Sequence, residues 1–318
     1  MADTPLQDTL RIHSFSSTEP GPRLIVLGGV HGNETCGTVG IERVVAELDS
    51  GALTLRRGQL TLVPVANPLA RRLMQREGER NLNRSFRPSA APADYEARIT
   101  NLLCPWLDRH DVLLDLHSFQ SAGDAFAMIG PRDNQGALEP FARAGEEGRL
   151  ALHLGTSRVV EGWLDIYAAG LAQRNPGQAV SDADLAFGWG TNEYMRSRGG
   201  YGVTLECGQH EDPAAPDVAH AAIHATLRLL GMVAEPARVP PPPELLRLVS
   251  VTDRLDEEDQ FVREWATFDP VVAGEPIGMR SDGSVLKAER DGFIVFPNSE
   301  ALAGTEWFYF AVASDRRL

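Results

Sequence analysis

The stretch "LGGVHGNETCG" (27–37) sets His31 three residues before Glu34 in a turn flanked by Gly28, Gly29 and Gly32. Imidazole and carboxylate are both ligands for a divalent transition ion, and glycine lets the backbone bend sharply enough for the two to converge. An H-x-x-E pair is commonplace by itself, so a third donor has to decide. His117 is the candidate, ending "LLDLHS", an apolar run that leads into a loop. Two histidines and a carboxylate, with a fourth position left to water, make a catalytic zinc arrangement and not a closed structural one. A base must accompany it. Glu206 in "GYGVTLECG" lies where another apolar run gives way to glycine, a place from which a carboxylate can take a proton from water and pass it to a leaving nitrogen. Asp115, two residues before His117, shares its strand face and is placed to orient that imidazole from behind. The plainer alternatives are a hydrogen-bonded strand-end histidine and a surface glutamate.

A second chemical feature is "NPLARRLMQREGERNLNRSF" (67–86), which gathers Arg71, Arg72, Arg76, Arg80 and Arg84 with Asn81 and Asn83 in an otherwise acidic chain. Guanidinium grips a carboxylate bidentately and stabilises a developing oxyanion. Arg71, Arg72 and Arg80 read more simply as a solvated helix face.

These residues need strands to hold them at one edge. Apolar runs bounded by turn residues recur at 23–30, 59–67, 111–118, 125–130 and 201–208, as buried strands do. Between them, Ile41, Val44, Val45 and Leu48 follow helical spacing, as do Tyr95, Ile99, Leu102 and Leu103, and later Ala219, Ile223, Leu227 and Leu230, closed by Gly231. This alternation predicts an α/β fold, a mixed sheet flanked by helices, with sites where loops leave the carboxyl ends of strands. Four prolines at 240–243 cannot continue a helix or a central strand. The expected organisation is therefore an α/β domain over 1–235, a proline-rich linker over 236–243, and a small all-β barrel or sandwich over 244–318, covering or flanking the site.

The bulk properties narrow the partners. With 318 residues, 43% hydrophobic and 23% charged, the chain has ample material for two cores. A net charge of −14 repels phosphate backbones, so nucleic acid is not an expected partner. No run approaches the roughly 20 apolar residues of a membrane helix, and the opening "MADTPLQDTLRIHSF" lacks the basic and apolar regions of a secretory signal, which makes the cytoplasm the expected location. Cys36, Cys104 and Cys207 form no C-x-x-C spacing and read as reduced thiols.

Taken in order, "GGVHGNE", "NP", "NLNRSF", "DLHS" and "GVTLECG" resemble the succinylglutamate desuccinylase/aspartoacylase family, which is related to the zinc carboxypeptidases. The likeness covers roughly residues 22–210 and extends more loosely through "VVAGEPIG" and "DGFIVFP". It implies a zinc carboxypeptidase-like fold and one Zn2+ per chain held by His31, Glu34 and His117, with Glu206 activating water. It further implies that Arg76 polarises the scissile carbonyl and that Asn83 and Arg84 bind a substrate carboxylate. Arg196, ten residues before Glu206, takes the place of another carboxylate-binding arginine, with Arg198 as its alternative. Two positions depart from the family. Asn81 stands in "NLNR" where D-L-N-R is usual, and "PNSEALAG" (297–304) lacks the substrate-site tyrosine of aspartoacylases, which points away from N-acyl-aspartate itself.

The expected activity is thus zinc-dependent hydrolysis of an amide in a small, carboxylated N-acyl amino acid or related amine. A metallocarboxypeptidase trimming a C-terminal residue is the enzymatic alternative, and a non-catalytic metal- or carboxylate-binding protein is the alternative from another class. The terminal β segment also suits a homo-oligomeric contact.

Overall fold

The computed structural model describes residues 9–177 and 181–318; the first eight residues, which open the stretch read for a secretory signal, lie outside the described part. The α/β part runs β1 (His13–Ser16), β2 (Arg23–Leu27), α1 (Cys36–Ser50), β3 (Gln59–Val63), α2 (Pro68–Leu73), α3 (Tyr95–Leu107), β4 (Val112–Phe119) and β5 (Phe126–Met128). It continues with α4 (Ala144–His153), β6 (Arg158–Glu161), α5 (Trp163–Arg174), α6 (Asp182–Phe187), α7 (Thr191–Ser197), β7 (Tyr201–Gln209) and α8 (Ala215–Leu229). Each of the five expected strands is present, and the short β1 and β6 are added to them.

The central strands are apolar throughout because helices cover both faces of the sheet. Leu24 and Val26 of β2 face a core shared with Ile41 and Val44 of α1 and with Ala219, Ile223 and Leu227 of α8. Ile25 and Leu27 alternate to the other face and meet Ile99 and Leu103 of α3 and Met195 of α7. Each such fully buried aliphatic side chain stabilises the fold by about 1.5–3 kcal/mol. One stripe residue differs from expectation: Leu102 is 54% exposed, and α3 buries Leu103 and Leu107 instead. Gly231 turns the chain out of α8 at φ 64°.

After residues 236–243, which form neither helix nor strand, come β8 (Glu244–Asp253), β9 (Gln260–Phe261), β10 (Pro270–Val271), β11 (Pro276–Met279), β12 (Val285–Lys287), β13 (Gly292–Val295) and β14 (Glu306–Ala313). These strands form the expected small all-β part as two sheets, one of them continuous with the sheet of the α/β part. β8 pairs in parallel with β6, so the edge of β6 is covered and one sheet runs β1-β3-β2-β4-β7-β5-β6-β8-β14-β13-β10. The remaining β12-β11-β9 form a second sheet, and Ile277, Ile294, Trp307 and Phe308 share the core between the two. Among the described residues no helix is long and apolar enough to cross a membrane.

Candidate metal centre

Three neighbouring parallel strands, β2, β4 and β7, deliver the candidate site residues to one edge. In register, Leu27 stands beside Asp115, and His117 beside Glu206. The loop after β2 then folds His31 and Glu34 back over the ends of these strands. Two glycines make this geometry available. Gly29 adopts φ 57°, and a Cβ on Gly32 would stand 2.0 Å from the backbone of Ala70 in α2, so no larger residue fits there without displacing the loop.

The side chains of His31, Glu34 and His117 lie together. His31 Nδ1 lies 2.7 Å from Glu34 Oε1, His117 Nδ1 lies 2.8 Å from Glu34 Oε2, and the two Nδ1 atoms are 3.2 Å apart. Two nitrogens held tetrahedrally at zinc distances stand about 3.3 Å apart. The partners behind the rings fix which nitrogen faces inward. Asn81 Oδ1 accepts from Asn83 N–H at 2.8 Å and lies 3.1 Å from His31 Nε2, so that nitrogen carries the proton. Asp115 Oδ2, itself accepting from the Thr191 hydroxyl, lies 3.0 Å from His117 Nε2. Two imidazole nitrogens and a carboxylate thus point at one place, an arrangement that could hold a cation between them. Burial pushes His31 down to about 4, which keeps it neutral as a ligand must be. Burial would also raise Glu34, but His31 and His117 hold it well below the ordinary carboxylate range. His117 is displaced the other way: Asp115 and Glu34 outweigh its burial and raise it well above an ordinary imidazole, so without a metal a proton takes the cation's place.

Glu206 stands beside this group. Burial pushes its carboxyl up to about 8, and its Oε2 is buried with no protein partner. Arg76 is half-exposed and donates from Nη1 to Glu34 Oε1 at 3.0 Å. Asn83 Oδ1 accepts from Thr191 N–H at 2.9 Å, which aims the amide donors of Asn83 away from the helix. Arg84 lies 5.0 Å over the Trp163 ring, donates to Asn83 O, and forms no carboxylate ion pair among the described residues. Desolvation lowers its pKa from the ordinary guanidinium value. The region 297–304 supplies no tyrosine, but Tyr309 of β14 packs on Trp163 at 5.7 Å and closes the same aromatic wall from another strand.

Arg196 has to be corrected. Its Nε donates to Glu147 at 2.8 Å, its Nη1 to Glu139 at 2.7 Å and Glu193 at 3.3 Å, and its Nη2 to Gly202 O at 3.2 Å. Gly202 is four residues before Glu206 on β7, roughly 13 Å along the strand. The guanidinium is therefore a buried structural tie, and Arg198 pairs with Asp108 at the surface. Sequence spacing sees the ten-residue offset but not the three glutamates that other elements bring to it. Arg196→Met is expected to leave KM for any carboxylated substrate unchanged while lowering the unfolding free energy, read by denaturant titration, by about 3–5 kcal/mol, the usual loss when a buried pair is broken. A raised KM at unchanged stability would reverse this assignment.

Thr191 and Trp163 carry no local sequence signal that marks them as part of this site. Asn81, an amide of the arginine-rich segment and the departure from D-L-N-R, sets the tautomer of His31.

Fold and donor set together define an α/β protein with a buried His–Glu–His pocket at the carboxyl edge of a mixed sheet. Residues 20–232 match the succinylglutamate desuccinylase/aspartoacylase catalytic domain, and the chain belongs to that family. It is 29% identical over 154 residues to a succinylglutamate desuccinylase of Pseudomonas paraeruginosa, a match spanning 46% of this chain and 43% of that protein. Its fold is similar to that of a succinylglutamate desuccinylase/aspartoacylase from Rhodobacter sphaeroides (TM-score 0.71, 16% identity, 96% of this chain and 89% of that one). It is also similar to the product-bound ectoine utilization protein EutE from Ruegeria pomeroyi (TM-score 0.72, 17% identity, 95% and 88%).

Proposed function

We propose that this protein is a zinc-dependent amide hydrolase that releases the acyl group from a small, carboxylated N-acyl amino acid or related amine. The observation that carries this reading is the convergence of His31, Glu34 and His117 beside the unpartnered carboxylate oxygen of Glu206. When bound there, zinc supplies Lewis acidity and brings the pKa of a water from 15.7 towards about 7. Glu206 then holds the proton that the water gives up and passes it to the amide nitrogen as the bond breaks. Arg76, half-exposed and paired with Glu34 at the edge of this group, stabilises charge developing on the carbonyl oxygen. Arg84 and the amide of Asn83 fix the substrate carboxylate.

A small substrate is favoured by what covers the exit of β4. Thr267 N–H donates to Ala122 O at 2.7 Å, and Gln120 donates to Glu300 at 2.9 Å, so C-terminal segments lie over the loop that follows His117. The test is a panel of N-acyl amino acids and short peptides given to the zinc-loaded protein. Release of a carboxylic acid from the N-acyl amino acids is expected. Cleavage of the peptides alone would replace the reading with a carboxypeptidase, and zinc held without turnover would replace it with a binding protein. Arg84→Ala is expected to raise KM about 10- to 100-fold, the loss of a charge-assisted contact, with kcat little changed. An unchanged KM would take Arg84 out of the substrate site.

A further inference from the structure

A second cluster of ligating side chains stands apart from the centre, where α1 meets α8. His220 and His224 are four residues apart on α8, so both rings leave one face of the helix. Glu47 of α1 reaches across to both: its Oε1 is 2.7 Å from His220 Nε2 and its Oε2 is 2.7 Å from His224 Nε2. The ring centroids are 4.6 Å apart, and one ligand atom from each of the three residues lies within 4.8 Å of the others. The side chains are 27%, 18% and 30% exposed for His220, His224 and Glu47, open enough for water to complete a coordination shell.

The helix pair is built to hold this arrangement. A Cβ on Gly40 would stand 2.8 Å from the Ala219 Cβ and 2.9 Å from His220 N, so glycine is what lets α1 come this close to α8. The Arg43–Asp217 ion pair, one turn away, ties the same two helices. Glu47 lies eleven residues beyond Cys36, the start of α1, whose thiol donates to the His117 carbonyl. At helical rise that separates the cluster from the first centre by about 16 Å along the helix.

We propose that Glu47, His220 and His224 form a second metal site, which takes a divalent transition ion suited to imidazole and carboxylate, such as zinc, nickel or copper(II), and clamps α1 to α8. Without the ion, each imidazole carries its proton on Nε2 and donates it to Glu47. With the ion, each neutral ring carries that proton on Nδ1, and the two Nε2 lone pairs and the Glu47 carboxylate become the ligands. Water supplies the remaining positions.

The experiment uses the full chain, stripped with a chelator, equilibrated with a small excess of zinc at neutral pH, dialysed, and assayed for metal. Wild type, His117→Ala and His224→Gln are compared, because glutamine keeps a hydrogen-bond donor toward Glu47 and removes the ligand nitrogen. About two zinc ions per chain are expected in the wild type and about one in each variant. Zinc at a hundredfold excess over Kd is expected to raise the Tm of His117→Ala by about 5 °C and to leave His117→Ala/His224→Gln unmoved. Equal zinc content in wild type and His224→Gln, at the same far-UV circular dichroism, would overturn the proposal and leave Glu47 a hydrogen-bonded helix clasp. Failure of the catalytic reading would show separately, as no difference between wild type and His117→Ala.

Discussion

Glu206→Gln is expected to lower kcat by about a thousandfold while the zinc content stays at the wild-type value, since a positioned general base contributes about 10²–10⁴-fold. Glutamine fills the same volume and keeps an oxygen, but it neither takes nor returns a proton. The expectation rests on Glu206 Oε2 being buried with no protein partner beside the His31–Glu34–His117 group. A variant retaining more than a tenth of the wild-type kcat would remove Glu206 from the reaction. The same residue has a signature in the metal-free protein. Its carboxyl titrates near 8 in place of the ordinary 4.5 because burial disfavours the charge, so between those values the folded state binds more protons than the unfolded one. Stability of the metal-free protein should therefore fall as pH rises through that window, and Glu206→Gln should flatten the fall. A thermal denaturation series across pH checks this without any substrate, and equal slopes in the two proteins would contradict it.

His117→Ala is expected to lose the zinc of the candidate centre and reduce hydrolysis to background. Measured in the His224→Gln background, so that the α1–α8 cluster contributes nothing, elemental analysis should read about one zinc per chain with His117 and close to none without it. Glu34 and His31 cannot enclose an ion alone, and removal of His117 also strands the buried Asp115, whose Oδ2 lies 3.0 Å from the missing imidazole. Asp115→Asn gives the intermediate case, about 10- to 100-fold weaker metal affinity with the ligands intact. Absence of zinc from the parent protein, even after incubation with excess metal, would break the hydrolase reading at its base.

The His31–Glu34–His117 group was legible in the sequence because strand ends and glycine turns mark where side chains collect. His117 and Glu206 each close an apolar run, and period-two alternation on adjacent parallel strands put them side by side in register. The arginines were less legible, since their side chains are long and their partners come from elsewhere. Arg84 faces a wall built by Trp163 and Tyr309, far away in the chain. Arg196 has the right offset from Glu206, but Glu139, Glu147 and Glu193 claim it.

By itself the sequence determined the alternating strands and helices of the α/β part, the His–Glu–His set and its neighbouring carboxylate. These rest on local patterns: hydrophobic period, turn glycines, and ligand types at strand ends. Tertiary structure alone decided that the C-terminal strands extend the main sheet through β8 and β6, that Asn81 sets the tautomer of His31, and that Glu47 meets His220 and His224. Each of these depends on contacts between residues distant in the chain, made by packing and by the satisfaction of buried polar groups, which no local pattern encodes.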